Sequence, residues 1–143
     1  MQAVLTNKLH QYISENNPDL LLAIEERGSS IQYLNNKIGE ISYLITELQQ
    51  SNSPEYIIEE LCMQALTKDL RPSKFNYIKN ILEEEFEFAF YSFQKSGTLL
   101  YEVVNIINQS EEIFTAFDFT EENEDNRQLR YAVTGVINEY LSK

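Results

Sequence analysis

SIQYLNNKIGEISYLITEL, residues 30–48, sets its apolar side chains at Ile31, Leu34, Ile38, Ile41, Ile45 and Leu48. Steps of three and four residues place these side chains on one face of an α-helix; a strand would need strict alternation. The polar run Gln49-Gln50-Ser51-Asn52 ends that pattern. Upstream, Val4, Leu5, Leu9, Tyr12 and Ile13 repeat the same spacing, and Asn17-Pro18 reads as a cap followed by proline at the first helical position. Gly28 either ends the helix that follows or is tolerated inside a longer one. Downstream, Ser53-Pro54 repeats the cap-and-proline signature before Ile57, Ile58, Leu61, Cys62, Ala65 and Leu66.

Beyond a short link from Thr67 to Pro72, Ser73 is expected to cap a helix carrying Phe75, Ile78, Ile81, Leu82, Phe86 and Phe90. Phe86, Phe88 and Phe90 alternate like a strand, yet Phe86, Phe90 and Phe93 also share a helical face. Glu83-Glu84-Glu85 tips the reading to helix, because Glu is depleted in strands. Lys95-Ser96-Gly97 marks a bend, Leu99 to Phe117 a further helix, 118–126 an acidic loop, and Leu129 to Leu141 a last helix. The expectation is all-α: a single domain over 1–143, a bundle of about six helices, with no internal repeat at solenoid period.

Composition narrows the function. The 143 residues carry 11 Lys+Arg against 23 Asp+Glu, a formal charge of −12, with one His and one Cys. Such a surface repels phosphates, so general nucleic-acid coating is disfavoured, as is an anionic membrane surface. One cysteine removes disulfide frameworks and Cys-rich metal sites. No apolar run is long enough to span a bilayer, and Met1–Ile13 is too polar for a signal peptide, so the chain reads as soluble and cytoplasmic.

Catalytic constellations are missing from the pattern. His10 has Asn7 three residues before it where a carboxylate di-iron bundle needs Glu. Counted from Asp118, the acidic loop has Asn123 and Leu129 where a calcium loop needs Gly and Glu. Cys62 lies among apolar residues that leave a thiol inert. The four glycines are isolated, so no phosphate-cradling loop exists. No enzyme activity, cofactor or metal is expected.

The charge is uneven. Residues 80–126 hold twelve acids against Lys95 alone, while Lys68, Arg71, Lys74 and Lys79 form a basic island just before them. Candidate partner-binding residues are Lys68, Arg71, Ser73, Lys74 and Lys79 in the island, and Phe88 and Tyr91 on the aromatic face. The favoured function is contact with an unidentified protein; homodimerisation stays open. Two alternatives are an acidic DNA mimic that occupies the basic groove of a nucleic-acid-binding host protein, and a helix-turn-helix-like DNA binder through residues 68–79.

Several of these features together resemble a known family. They are Leu9-x-x-Tyr12, Glu15-x-x-Pro18, Ile24-x-x-Arg27 and Tyr33; Glu59, Glu60, Leu61 and Leu66; Leu70-x-x-Ser73-Lys74-Phe75 running to Leu82-x-x-Glu85-Phe86; and Tyr131-Ala-Val-Thr134-Gly135. In that order they resemble the small all-helical bacterial family called domain of unknown function 1896, often carried on conjugative transposons of the Bacteroidota. The resemblance implies an all-α domain in a mobile-element setting. It brings no catalytic residues.

Overall fold

The computed structural model describes all 143 residues. The chain is all-helical with no strand: nine α-helices and one 3-10 turn, where the sequence spacing predicts about six helices. Contacts group it into two compact units, Met1–Arg71 and Pro72–Lys143.

The N-terminal unit holds α1 (Gln2–Asn16), α2 (Pro18–Arg27), α3 (Ser30–Glu40), α4 (Ser42–Gln50), α5 (Glu55–Thr67) and the 3-10 turn Lys68–Leu70. Helix α1 packs on α2, α3 and α5, and α4 packs on α5. Their shared core contains Leu5, Leu9, Ile13, Leu34, Ile38 and Cys62, among others. The C-terminal unit holds α6 (Lys74–Glu85), α7 (Glu87–Ser96), α8 (Leu99–Phe117) and α9 (Arg127–Leu141). Helix α6 packs on α7, α8 and α9, with α8 also against α7 and α9. Ile78, Leu82, Val103, Ile107, Leu129 and Val133 belong to its core.

Two unforeseen breaks account for two of the additional helices. The 30–48 pattern splits at Ile41, whose N–H bonds to the Ile38 carbonyl at 3.2 Å. Gly39, a poor helix former, precedes the split. The second break is Phe86, a single residue between α6 and α7 with φ −135° and ψ 50°. Three glutamates end α6, where the helix dipole disfavours negative charge, and Glu87 opens α7, where the dipole favours it. Arg130 answers the unfavourable end, with 2.8 and 2.9 Å contacts to Glu84 and Glu85. The kink accounts for the ambiguous alternation: Phe90 turns into the core and Phe88 out to solvent, both from a helix.

Caps fall partly where the sequence puts them. Ser73 accepts from the Asn76 N–H at 3.0 Å, as expected. Ser53 does not cap α5. It completes the end of α4 instead: Asn52 turns left-handed (φ 58°) and the Ser53 N–H bonds to the Leu48 carbonyl at 3.1 Å. Pro54 then precedes α5, which begins at Glu55. Asn17 stands before Pro18 without capping through its side chain; its Nδ2 donates to the Leu70 carbonyl at 3.2 Å.

Each unit follows the same plan. Asn17 (φ −134°, ψ 52°) joins α1 to α2 as Phe86 joins α6 to α7. Helices α2 and α7 each have 10 residues and each ends on a positive-φ glycine, Gly28 or Gly97. The α3–α4 pair, broken at Ile41, matches the unbroken α8, and α5 matches α9. Core positions correspond at a constant spacing: Leu9 with Ile78, Ile13 with Leu82, Leu34 with Val103, Ile38 with Ile107, Ile45 with Phe114. After a loop two residues longer, Ile58, Cys62 and Leu66 match Leu129, Val133 and Ile137. The packing of α1 on α2, α3 and α5, of α2 on α3 and of α4 on α5 has its counterpart in the second unit. The repeat is about half the chain long, far beyond solenoid period.

Candidate functional site

Helix α7 carries the most exposed aromatic side chain of the molecule. Phe88 is 90% exposed and Tyr91, one turn on, is 57% exposed. Phe90, a buried core member, fixes the helix from its other side, and Phe93 is half-buried. Glu87 in the first turn and Lys95 in the last both favour the helix dipole.

Beside α7 opens a groove of about 770 Å³. Phe86, Phe88 and Phe93 line one part, and Glu102 of α8 with Tyr140 and Leu141 of α9 line another. A second hollow of about 590 Å³ shares Glu87, Phe88 and Ser92 with the first and adds Tyr91 and Lys95. Phe88 and Tyr91, both sequence candidates, therefore share a site. Of the residues across the groove, Glu102, Tyr140 and Leu141 escape sequence reasoning, because they lie in other helices and carry no motif.

The groove lining also carries Glu85, Glu87, Ser92 and Lys143, and its hydrogen-bonded polar pair is Tyr140 with Glu102. The Tyr140 hydroxyl donates to the Glu102 carboxylate, and Asn105 Nδ2 donates to the Tyr140 oxygen at 3.4 Å. Burial and the Glu102 hydrogen bond raise the Tyr140 pKa above the ordinary 10.0, and burial does the same for Tyr77. A raised folded-state pKa contributes stability below pH 10 that is lost as pH rises through the folded value. Alkaline titration followed by tyrosinate absorbance should show a late fraction above pH 10 that Tyr140→Phe diminishes; an unchanged profile in that variant would contradict the assignment.

The basic island is largely consumed by the fold. Lys68 is exposed in the 3-10 turn. Arg71 donates to the Gln64 and Thr67 carbonyls at 3.3 and 3.4 Å, satisfying the end of α5. Ser73 caps α6. Lys74 pairs with Glu111 at 2.9 Å and lies 5.3 Å from the Phe114 ring centroid. Lys79 is half-buried and makes no ion pair with Glu83. Lys68 and Arg71 belong to the N-terminal unit; Ser73, Lys74 and Lys79 belong to the C-terminal one.

Other groups singled out in the sequence have structural surroundings. Cys62 is fully buried, and burial pushes its thiol pKa up, away from nucleophilic use. His10 is exposed on α1. Asp118, the first residue of the rejected calcium loop, is the left-handed end of α8 (φ 54°). No helix is long and apolar enough to cross a membrane. No family model, curated protein or solved structure matches the chain, so its functional reading rests on the geometry of α7 and its groove.

Proposed function

We infer that this protein is a non-enzymatic accessory factor that works by binding another protein through the α7 face. The observation that carries the reading is the exposure of Phe88 together with Tyr91 beside a groove. Aromatic side chains are enriched in interface cores and supply most hot spots, because they bury much area at low entropy cost. The resemblance to a family carried on conjugative transposons supplies the setting, an accessory function of a mobile element.

DNA mimicry is the second reading. It draws on the exposed carboxylates of the C-terminal unit, among them Glu83, Glu87, Glu112, Glu121 and Glu122. DNA binding through residues 68–79 has the least support: Lys74 is held by Glu111, and the far end of α6 exposes Glu83–Glu85.

The test is capture from an extract of the native cells by tagged wild type and by Phe88→Ser/Tyr91→Ser. The wild type should retain a partner at physiological salt that the double variant loses. A partner held equally by both, and released steeply as salt rises, would favour the mimic. If neither protein retains a partner, the reading is wrong.

A further inference from the structure

We propose that the hollow between α2 and α3 binds a small monocarboxylic acid with a branched or aromatic apolar body, its carboxylate held by Arg27. The site lies in the N-terminal unit and does not depend on the α7 contact.

The hollow measures about 250 Å³, under the range of roughly 300–1,000 Å³ for drug-sized ligands. Leu20, Ile24 and Arg27 line it from α2, at steps of four and three residues that place them on one helical face. Across from them, Ser29, Gln32, Tyr33 and Asn36 follow the same spacing along α3 and its cap. Leu20 and Tyr33 are half-buried and packed on the core, and Ile24 is buried, so the apolar part of the wall is fixed. The polar part is unspent. Ser29 Oγ accepts the Gln32 N–H at 3.2 Å and keeps its own proton to donate. The side chains of Arg27, Gln32, Tyr33 and Asn36 make no hydrogen bond or ion pair within the protein.

The second unit shows that the fold does not require this set. At the matching seam Ser96 stands in the place of Arg27, Glu102 in that of Tyr33 and Asn105 in that of Asn36. There the polar groups are used internally: Ser96 Oγ donates to the Phe93 carbonyl at 3.1 Å, and Asn105 donates to Tyr140 at 3.4 Å. The counterpart of Tyr140 in the first unit is Asp69, whose carboxylate lies 3.9 Å from Lys37, and Asn36 is left with its amide free. A cation in the last turn suits the helix dipole, but α7 meets that need with Lys95, at the position matching Glu26.

Charge and donor type select the ligand. Arg27 is the one charged side chain in the wall. Glu25 and Glu26 lie on α2 outside it, and Asp69 and Lys37 answer one another. A carboxylate brings acceptors alone to a wall of donors, namely the guanidinium fork, two side-chain amides and two hydroxyls. One negative charge matches one guanidinium. A phosphate dianion would add a second charge near Glu25 and Glu26 in a chain at −12. Leu20, Ile24 and the Tyr33 ring take the apolar body.

The probes are 4-methylpentanoate and phenylacetate, titrated into the full chain at constant pH and ionic strength with backbone amide shifts as readout. Phenylacetamide, the neutral isostere, and inorganic phosphate are the comparators. Both acids should give saturable shifts confined to residues 20–36, with Kd near or below about 1 mM. Phenylacetamide should bind at least about 10-fold more weakly, for want of the charge-assisted bonds. Arg27→Gln, at an exposed helix end, should weaken the acids by about 10- to 100-fold. Arg27→Lys should weaken them less, since it keeps the charge and loses the fork. Arg127→Gln, outside the hollow, should change nothing.

Shifts that do not saturate for either acid, equal binding of phenylacetamide, tighter binding of phosphate, or an Arg127→Gln effect as large as that of Arg27→Gln would each overturn the proposal. Should Arg27→Gln disturb the fold, Asn36→Ala on the exposed side of α3 decides in its place. It should weaken the acids by about 3- to 10-fold, the worth of a neutral hydrogen bond, and unchanged affinity would overturn the assignment.

Discussion

Leu82→Ala is expected to destabilise the C-terminal unit by about 2–5 kcal/mol. The side chain is wholly inaccessible and sits in the cluster with Ile78, Ile81 and Val103. Truncation loses the transfer free energy of the missing carbons and leaves a cavity, because neighbours held in regular helices relax only partly. Leu82 also precedes the kink: its carbonyl accepts the Phe86 N–H at 2.9 Å, and loosening it should disturb the entry to α7. The matching substitution, Ile13→Ala, removes an equivalent side chain from a different cluster. Since the two clusters share no residue, the losses should add within about 0.5 kcal/mol in the double variant. Urea denaturation followed by far-ultraviolet circular dichroism measures both, and a loss below about 1 kcal/mol for Leu82→Ala would show that its pocket collapses.

Gly28→Ala is the second large effect, and its origin is the backbone alone. Gly28 has φ 135° and ψ −113°, a region open essentially to glycine. A Cβ there would meet nothing within 4 Å, so sterics with neighbours add no cost. The strain of holding alanine in that conformation is about 1–3 kcal/mol. Gly97, at the matching end of α7, is different: φ 76° and ψ 19° lie in the left-handed helical region. There alanine costs about 1–2 kcal/mol, and asparagine, which visits this region readily, costs less. Thermal melts of Gly28→Ala, Gly97→Ala and Gly97→Asn should rank in that order of damage. Equal melting temperatures for the two alanine variants would contradict the conformational argument.

Helical character was legible because it is local. The spacing of Leu34, Ile38 and Ile45 depends on residues within two turns, and so do the cap at Ser73 and the bend at Gly97. Phe88 and Tyr91 could be singled out for the same reason. The breaks at Ile41 and Phe86 were not legible, since each leaves the apolar periodicity on both sides intact. Ser53 misled because a serine before proline looks the same whether its N–H closes one helix or its side chain opens another. The twofold plan was hidden by divergence: Ile41 corresponds to Ser110 and Cys62 to Val133, so little identity survives although burial does.

From the residue order alone came the class of fold, the helix-forming segments and the acidity that shapes any partner. Only packing decided that Phe90 would be covered and Phe88 bare, and that Glu102, Tyr140 and Leu141 would border the same groove. The former depends on bonds and side chains a turn or two apart. The latter depends on contacts between separate helices, and no local periodicity encodes which faces those helices turn to one another.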